Sequence, residues 1–333
     1  MSKLIETDQA TWISMAVPDV YFSFEYHNAS MLLEPSAVRV SLLEWKCPSG
    51  IIRLPLIIRR IEGTDYFDAT SAYGYGGPWS EGTPQYAEFS AAFNDWANEN
   101  RIVCTFLRYH PLLKNADEFH THLSSINLGP TAAWDLQSSN DLLETLSKGH
   151  RKSYRRAIRA GVEAQIAQNP KRMDNFKNLY ETSMNRLSAS EFYHFPETYW
   201  ESMVEGLGDQ SLLVEAEYQG KTIAAAWCLA TEKYLHFHLS GTTDEGRQLG
   251  GAFVCRVAAA QWARERGLAF AHFGGGLGGT ESTLLTWKRK FDENLPLLQF
   301  SIGKIVHSEE KFSFLASKYP ETNFFPPWRA GEI

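Results

Sequence analysis

The sequence has few cysteines and no long apolar run. Its four cysteines lack the paired spacing of a disulfide framework or a zinc site, so we expect buried free thiols at Cys47, Cys104, Cys228 and Cys255. The longest apolar runs, such as residues 54–58, are too short to span a bilayer. No apolar stretch follows the first basic residue, so we expect no secretory signal. These features predict a cytoplasmic protein without a membrane span.

Several catalytic signatures are also missing. The sequence contains no Gly-x-Ser-x-Gly elbow, Cys-x-x-Cys pair, Walker loop or His-Glu-x-x-His motif, which removes the commonest hydrolase, zinc-enzyme and ATPase interpretations. A net charge of −7 argues against a general nucleic-acid binder and against DNA as a partner. One local basic patch stands apart from this average. It lies on a predicted helix and comprises Lys148, Arg151, Lys152, Arg155, Arg156 and Arg159. The patch is either a solvated helix face or an anion site.

Two parts of the sequence repeat each other about half a chain apart. Residues 41–58 and residues 211–229 each predict a strand, a tight turn at a glycine and a returning strand. Trp-Ala-x-Glu then closes a predicted helix twice, at Trp96 and at Trp262, and a short apolar strand follows each time. Two matches in the same order, within the same pattern of elements, indicate a duplication.

The duplication predicts the fold class. At 333 residues the chain is long for one core and fits two lobes. We expect an α/β (α+β) protein in which each lobe is a mixed sheet flanked by helices. The division falls between an N-terminal lobe, residues 1–137, and a C-terminal lobe, residues 138–333, which begins with a basic helix over 138–161. Further helices are predicted over 175–187, 197–206 and 281–291.

Two glycine-containing loops in the second copy are candidate ligand sites. Arg247, Gly250 and Gly251 form an Arg-x-x-Gly-x-Ala turn that opens a helix, which resembles the loop that holds coenzyme A in GNAT acetyltransferases. A glycine-assisted helix start without a ligand explains the same pattern. Residues 273–279, with Gly275 and Gly276, contain five glycines in seven positions. Such a loop suits close backbone approach to a ligand or a purely architectural turn.

Several side chains near these loops are chemical candidates. Lys288 follows the glycine-rich loop and is able to stabilise the oxyanion of an acyl-transfer intermediate, or to be a surface charge. His236 and His238 alternate on one strand and so share a face, which suits a polar groove or a satisfied core better than a metal site. His110, His236 and His238 are candidate proton acceptors, but the sequence assigns no general base.

The chain resembles the Fem-like aminoacyltransferases, proteins with two GNAT-like lobes. The resemblance runs over most of the chain, and its carriers are Tyr73-Gly-Tyr75-Gly-Gly-Pro78, residues 106–113 with Arg108-Tyr-His110-Pro, the helix 146–161, residues 179–186 ending in Asn-Arg186, His238-Leu-Ser240-Gly-Thr, residues 273–276 and Trp287-Lys288-x-x-Phe291. No sustained heptad run indicates the coiled-coil arm that some members carry.

The resemblance implies a groove between lobes in which an amine-bearing acceptor meets an acyl donor, typically aminoacyl-tRNA, without a metal or a bound cofactor. Lys288 matches the lysine of the family's Phe-Lys-x-x-Phe motif, which is thought to support the tetrahedral intermediate. Arg186 falls where members often hold an acceptor phosphate or carboxylate. The remaining acceptor-binding candidates are Tyr73, Tyr75, Arg108, His110, His236, His238 and Ser240. Histidines stand where relatives carry aromatic, often tyrosine, residues, which leaves the acceptor's identity open.

We therefore expect an acyltransferase that acts on an amine of a cell-envelope precursor, a polysaccharide sugar or a small metabolite. The basic patch favours aminoacyl-tRNA as donor, and the Arg247–Ala252 loop favours acyl-CoA. A non-catalytic ligand-binding module is the second alternative. Because only the second copy has the glycine-rich loop and Lys288, we expect it to carry the chemistry and the first copy to help hold the acceptor.

Overall fold

The structure, a computed structural model, describes residues 3–139, 141–276 and 282–331. The strands are β1 (Lys3–Thr7), β2 (Ala37–Cys47), β3 (Gly50–Arg60), β4 (Phe67–Thr70), β5 (Trp79–Gly82), β6 (Ile102–Arg108), β7 (Ile126–Asp135), β8 (Glu163–Gln168), β9 (Ser211–Tyr218), β10 (Lys221–Ala230), β11 (Tyr234–Thr242), β12 (Phe270–Gly275) and β13 (Leu298–Val306). The α-helices are α1 (Gln9–Ser14), α2 (Phe24–Met31), α3 (Tyr86–Glu99), α4 (Asn115–Phe119), α5 (Leu142–Thr145), α6 (Lys148–Arg159), α7 (Asp174–Leu187), α8 (Glu197–Leu207), α9 (Asp244–Leu249), α10 (Gly251–Glu265), α11 (Thr283–Arg289) and α12 (Glu309–Ala316). None of the helices within these ranges has the length and hydrophobicity that a bilayer crossing requires.

The first of two compact units comprises Met1–Leu128, Phe195–Met203 and Gln299–Ile333. Its sheet has the strand order β1-β2-β3-β4-β6-β13, and β5 pairs with β3. Neighbouring strands are antiparallel except β4 and β6, which are parallel. Aromatic residues of α3, among them Phe89 and Phe93, pack on strand residues such as Leu54 and Leu107 to form the core of this unit.

The second unit comprises Gly129–His194 and Val204–Leu298. Its sheet has the order β7-β12-β11-β10-β9-β8, with parallel pairing only between β11 and β12. The apolar helix α10 packs on β9 and β10 through residues such as Val254 and Val257. Burial of this helix face against the sheet supplies the main hydrophobic core of the unit.

The duplication predicted from the sequence is confirmed in the order and pairing of the strands. The elements β2, β3, β4, α3 and β6 in the first unit have the same order and the same pairing directions as β9, β10, β11, α10 and β12 in the second. The repeated Trp-Ala pairs serve the same purpose in each copy. Trp96 and Ala97 are buried at the end of α3, and Trp262 and Ala263 at the end of α10. The Trp-Ala pair that recurs in both copies therefore occupies buried core positions.

Each copy is followed in sequence by a strand that pairs in the sheet of the other copy. β13 follows the second copy but pairs with β6 of the first unit, from Ile302 opposite Arg108 to Val306 opposite Cys104. β7 follows the first copy but pairs with β12 of the second unit. The sequence-based division after residue 137 treats each lobe as one continuous segment, whereas both compact units are discontinuous. Strand partners far apart in sequence leave no local signal, which is why this exchange was not predicted.

The basic segment 138–161 forms two helices instead of the single helix that was predicted. Leu146 is extended and Ser147 caps α6, because the Ser147 hydroxyl accepts from the amide of His150 at 3.2 Å. A serine at this position satisfies an amide that the first turn of a helix leaves free. The break therefore gives α6 an independent start at Lys148.

The cysteines are free thiols, as predicted. Cys104, Cys228 and Cys255 are fully buried, and burial raises the pKa of each of these thiols. Cys47 differs, because it is half-buried at the end of β2, where its Sγ donates to the carbonyl of Gly50 at 3.4 Å.

Candidate active site

Lys288 lies in the last turn of α11, against the end of β12. The helix begins after Ser282, whose hydroxyl accepts from the amide of Leu285 at 3.2 Å. The Nζ of the half-buried Lys288 donates to the carbonyl of Gly275 at 2.7 Å. Gly275 is the last residue of β12, so Lys288 reaches the described part of the glycine-rich loop. The rest of that loop and the predicted helix start, residues 277–281, lie outside the described residues.

Local backbone geometry explains why glycines occur at the end of β12. Gly274 has φ of +74°, which side-chain-bearing residues rarely adopt, and the pairing with β7 shifts register between His272 and Gly274. A Cβ on Gly275 would lie 3.3 Å from the carbonyl of Pro130. This bulge turns the strand end and sets the direction of the Gly275 carbonyl that Lys288 contacts. Gly276 follows directly and is half-buried.

Arg256 of α10 is a buried cation beside this lysine and was not among the sequence candidates. Its guanidinium lies 4.7 Å from the ring centroid of Trp287 and 5.4 Å from that of Phe237. Nη1 donates to the carbonyl of Ala252 at 3.3 Å, and Nη2 donates to the Ser240 hydroxyl at 3.4 Å. In the described part of the chain no carboxylate forms an ion pair with Arg256, and its buried Nε has no hydrogen-bond partner. The cation is held by two aromatic rings and two neutral oxygens.

The positive charge of Arg256 affects the protonation of Lys288. Burial, together with repulsion from Arg256, lowers the pKa of the Lys288 amine to about 7. Burial lowers the pKa of the Arg256 guanidinium from its ordinary value of 12.5. Arg256 nevertheless stays protonated, because a guanidinium does not lose its proton in proteins. Near neutral pH, Lys288 is therefore populated both as an amine and as an ammonium, while Arg256 is a fixed charge.

Aromatic side chains form the wall behind these two cations. His150 of α6 donates from Nε2 to the carbonyl of Trp287 at 2.9 Å, and its ring packs on Phe253 and Phe291. Burial lowers the pKa of His150 to about 4, so the imidazole is neutral at physiological pH. Aromatic surroundings lower the local polarity, and low polarity strengthens electrostatic interactions between charged groups.

The two histidines predicted on one strand lie on β11 in the second unit. The buried His236 faces the ring of His272 at a centroid distance of 5.6 Å, and His272 shares a 3.0 Å hydrogen bond with Thr131. His238 packs edge-on against Trp227 at 5.4 Å, and burial with the neighbouring His236 lowers its pKa to about 3. An imidazole that binds a proton this weakly is a poor general base at neutral pH.

Arg186 of α7 lines a pocket of about 430 Å³ in the second unit. Its Nη1 donates to the carbonyl of Thr242 at 2.8 Å and lies 3.5 Å from the Asp244 carboxylate, while its buried Nε has no hydrogen-bond partner among the residues that the structure describes. Thr243 and Lys221 also line this pocket. The arginine that the family resemblance links to an acceptor anion is therefore next to a cavity.

The residues of the predicted donor loop are accounted for by packing. Arg247 is exposed and donates to Asp244 at 2.7 Å. Gly250 has φ of +86° and joins α9 to α10, and a Cβ on Gly251 would lie 2.8 Å from the Cβ of Ala224. Chain reversal and close contact between helix and sheet explain both glycines without a ligand. These residues stay predictions as donor contacts.

The basic patch is on α6, which packs beside that loop. Arg156 donates to the carbonyl of Gln248 at 3.2 Å, and Ala157 is buried next to Gly250. Five of the six cations of the helix are exposed, and Arg151 is half-buried. Across residues 3–139, 141–276 and 282–331, none of the six forms an ion pair with a carboxylate. The patch is a concentration of positive charge that the fold leaves without counter-ions.

In the first unit the structure brings Tyr75 and His110 together, and it adds Asp19. His110 is fully buried, its Nδ1 accepts from the amide of Leu113 at 3.2 Å, and its Nε2 lies 3.7 Å from the buried carboxylate of Asp19. The ring of Tyr75 packs against His110 at 5.8 Å and against Tyr21 at 5.3 Å. Because Nδ1 accepts, the ring proton is on Nε2 and faces Asp19.

Tyr73 and Arg108 lie in the same unit, and their contacts are with other residues of that unit. The carbonyl of Tyr73 accepts from the hydroxyl of Tyr26 at 2.7 Å, and its ring packs on Phe195 at 5.7 Å. Arg108 donates to the carbonyl of Ser71 at 3.1 Å, and burial lowers the pKa of its guanidinium. These contacts fix both side chains, and their role toward an acceptor stays a prediction.

Two residues of the candidate sites were not predicted from the sequence, and only one of them has a recognisable signal there. Arg256 is the only charged residue in the apolar stretch 251–263 of α10, and that isolation was a readable sign of a buried charge. Asp19 stands in a loop between Pro18 and Val20 and has no comparable signal in the sequence.

Comparisons with known proteins bear on the fold. Residues 148–306 match a family profile described as acetyltransferase (GNAT) domain. A crystal structure of FemX is 10% identical and covers 94% of this chain and 99% of its own, with a TM-score of 0.69. The chain has the tandem GNAT fold of the Fem-like proteins. The resemblance stated from the sequence is thereby confirmed.

Other solved structures share this tandem GNAT fold. A tandem GNAT protein from the clavulanic acid biosynthesis pathway is 10% identical over 92% of this chain and 99% of its own, with a TM-score of 0.53. The C-terminal domain of a putative lysylphosphatidylglycerol synthetase from Agrobacterium fabrum is 14% identical over 81% of this chain and 84% of its own, with a TM-score of 0.52. The sequence matches none of the curated proteins with which it was compared. The GNAT match spans α6, Arg256 and Lys288, and it supports acyl transfer as the activity class.

Proposed function

We propose that this protein is an acyltransferase that moves an aminoacyl group from aminoacyl-tRNA onto an amine. The acceptor is a cell-envelope precursor, a polysaccharide amino sugar or a small metabolite. The observation that carries the proposal is the pair of cations inside the GNAT-matched segment, with Lys288 on the Gly275 carbonyl and Arg256 between two aromatic rings. Acyl transfer builds negative charge on a carbonyl oxygen, and positive groups held beside that oxygen stabilise it.

The reaction joins the acceptor nitrogen to the donor carbonyl carbon and breaks the bond to the donor oxygen. Lys288 supports the tetrahedral intermediate, and the apolar wall around Trp287 keeps water from competing with the amine. His236, His238, Ser240 and Arg186 belong to the same unit and are candidate acceptor contacts. Tyr73, Tyr75, Arg108 and His110 are the candidates of the first unit.

The charge of α6 supports aminoacyl-tRNA as the donor. A protein of net charge −7 that concentrates six cations on a 12-residue helix, none of them ion-paired within the described residues, has a local attraction for a phosphate backbone. The fold is similar to that of FemX, and the resemblance to the Fem-like aminoacyltransferases implies aminoacyl-tRNA as the donor. Arg247 is paired with Asp244, which leaves this arginine less available to a pyrophosphate.

Acyl-CoA is the alternative donor, and one observation favours it. The matched family is described as acetyltransferase (GNAT) domain, and the tandem GNAT protein from the clavulanic acid pathway is described in a form without AcCoA. Gly250, Gly251, Gly275 and Gly276 would then approach the donor through their backbone. In that case acetyl-CoA, and not charged tRNA, would raise the melting temperature of the protein.

The donor is tested by binding charged and uncharged tRNA in a filter assay, beside a thermal-shift assay with acetyl-CoA. We expect tRNA binding that weakens with salt and that falls at least tenfold in the double variant Lys152→Gln, Arg155→Gln. The matched control is Lys171→Gln, Arg172→Gln, which also removes one exposed lysine and one exposed arginine. Equal loss in both double variants, or binding of acetyl-CoA alone, would overturn aminoacyl-tRNA as the donor.

The reaction itself is tested with a tRNA pool charged with radiolabelled amino acids and a panel of amines. The panel holds a lysine-containing cell-wall precursor peptide, D-glucosamine and a polyamine. We expect a labelled amide product on one class of amine, identified by mass spectrometry. A non-catalytic binding module is the competing function, and it predicts ligand binding to the protein without any labelled product from either donor.

A further inference from the structure

Arg256 has an unusual environment for an arginine. It interrupts the apolar stretch of α10, is 8% exposed, and lies between the rings of Phe237 and Trp287. Its described hydrogen-bond partners are the carbonyl of Ala252 and the hydroxyl of Ser240. Burying a charge without a counter-charge is costly, so an arginine kept in such a place has a use for that charge.

Lys288 directly follows Trp287, the residue whose ring centroid lies 4.7 Å from the Arg256 guanidinium. Its hydrogen bond to the Gly275 carbonyl is available to a neutral amine as well as to an ammonium, since both have N–H donors. A carboxylate partner would fix the ammonium form, and no carboxylate contacts Lys288 within the described ranges. Of two cations in one half-buried volume, the lysine is the one that can release its proton.

The other described ionisable groups around α11 make contacts of their own, and none is a carboxylate in contact with Lys288. His150 from α6 is neutral and donates to the carbonyl of Trp287. Arg289 and Lys290, on the helix end itself, are exposed cations. Asp292 accepts from the backbone amides of Asp135 and Asn294. From β12, His272 hydrogen-bonds to Thr131. Burial lowers the pKa of Lys288, and the positive charge of Arg256 lowers it further.

We propose that Lys288 carries the proton of the acyl transfer and that Arg256 is the positioning residue that keeps the Lys288 amine free to accept it. This inference rests on the proposed function. As the acceptor nitrogen bonds to the donor carbonyl carbon, its proton moves to Nζ of Lys288. The resulting ammonium gives a proton to the donor oxygen as the carbon–oxygen bond breaks, which returns Lys288 to the neutral amine. An amine and an ester become an amide and an alcohol, with no other reactant.

The coupling is tested by titrating Lys288 directly, without any substrate. The pH dependence of its acetylation by acetic anhydride is followed by peptide mass spectrometry. In the wild-type protein we expect half-maximal reactivity near pH 7, and in Arg256→Met a shift of at least one pH unit upward. Arg266→Met is the matched control, because Arg266 also lies over a tryptophan ring, at 4.2 Å, and donates to the carbonyl four residues before it.

The titration separates the possible results. A wild-type Lys288 that titrates at the ordinary value of a lysine, near 10.4, would overturn the proposal, and this arm needs no variant to fold. So would an unshifted titration in folded Arg256→Met or Arg256→Gln, with folding checked by circular dichroism. A shift of the same size in Arg266→Met would also overturn it, because the effect would not be specific to Arg256.

The pH dependence of the rate tests the direction of proton transfer, with the charged tRNA pool and the amine panel described above. If neutral Lys288 accepts the proton, kcat/KM rises with pH through about 7, and the rise moves to higher pH in Arg256→Met. The ionisation of the acceptor amine is the same in both proteins, so only the Lys288 limb moves. A rate that falls as pH rises through 7 would show that the ammonium is required at the start, and would overturn the proton-carrier role. Shifted titration without turnover of either donor would instead overturn the proposed function.

Discussion

Asp68 shows how single residues hold the first unit together. Its fully buried carboxylate accepts from Arg59 at 2.6 Å, from the indole of Trp328 at 2.7 Å and from Arg329 at 2.9 Å. Arg59 is also paired with Glu34. Because Arg59 and Arg329 are largely buried, removing the carboxylate takes a close counter-charge from both guanidinium groups.

We therefore predict that Asp68→Asn lowers the free energy of unfolding by about 3–5 kcal/mol in urea denaturation. Arg172→Gln is the comparison, since the Arg172–Asp174 pair is exposed and such pairs contribute less than about 1 kcal/mol. Equal effects of the two substitutions would contradict the assignment of Asp68 as a buried anchor.

Buried neutral histidines predict acid sensitivity. His27 is fully buried, and burial lowers its pKa to about 4 from an ordinary value near 6.5. The unfolded chain therefore binds a proton more readily than the folded protein, and stability is lost as pH falls from 6.5 toward 4. Between pH 7 and pH 5, His27 alone accounts for a loss of about 2 kcal/mol. Urea unfolding of His27→Phe at both pH values is expected to show a smaller loss by that amount, whereas the exposed His120→Phe is expected to behave as the wild type.

The candidate site was predictable from sequence only in part, and the reason lies in single residues. Lys288 was found through a motif that fixes its place after a glycine-rich loop. Arg256 was missed although it is the single charged residue in the apolar stretch 251–263, because its aromatic partners Trp287 and Phe237 are distant in sequence. His238 was a candidate base, and only the packing against Trp227 reveals how weakly it binds a proton.

At the scale of elements, periodicity and turn residues predicted the repeated unit well. The returning strand predicted at the end of residues 41–58 is β3 (Gly50–Arg60), and the helix predicted to close at Trp262 is α10 (Gly251–Glu265). β7 and β13 were not predicted, because each is completed by a strand that is distant in sequence. The split of the basic helix at Ser147 was missed as well, since one hydroxyl cap outweighs the helix-forming residues on either side.

Two glycines in helices of the second unit predict opposite outcomes for the same substitution. A Cβ on Gly246 in α9 would lie 2.0 Å from the carbonyl of Ile223, so Gly246→Ala is expected to destabilise the protein by about 1–3 kcal/mol. A Cβ on Gly149 in α6 would meet nothing within 4 Å, so Gly149→Ala is expected to stabilise it by up to about 1 kcal/mol. Thermal unfolding of both variants checks the two signs, and the same sign in both would contradict the packing of α9 on β10.

At the scale of the whole molecule, the exchanged strands make each copy depend on the other half of the chain. β6 of the first unit is paired with β13, and the C-terminal residues Trp328 and Arg329 cover Asp68. The second unit contains none of the residues after 298.

We predict that a chain ending at residue 297 loses the structure of its first unit and keeps that of its second. Hydrogen exchange followed by mass spectrometry is expected to show lost protection in residues 37–108 and retained protection in residues 211–265. A chain ending at residue 307 keeps β13 and is expected to retain part of the protection in the first unit. Loss confined to residues 211–265 would contradict the exchange of strands.

Two GNAT-like copies with unequal chemistry form the central claim of this account. The second unit contains Lys288, Arg256 and the described end of the glycine-rich loop, and the first contains a buried cluster of Asp19, His110 and Tyr75. The proposed acyl transfer at Lys288 is the step that joins the fold to a function.

The most direct measurement compares the wild type with Lys288→Met in transferring radiolabelled amino acids from the charged tRNA pool to the amine panel. The account predicts a loss of about 100-fold or more in rate, with an unchanged melting temperature and with tRNA binding preserved. Lys233→Met, at an exposed lysine of the same unit, is expected to keep the wild-type rate. A Lys288→Met protein that transfers the label at the wild-type rate would contradict the account.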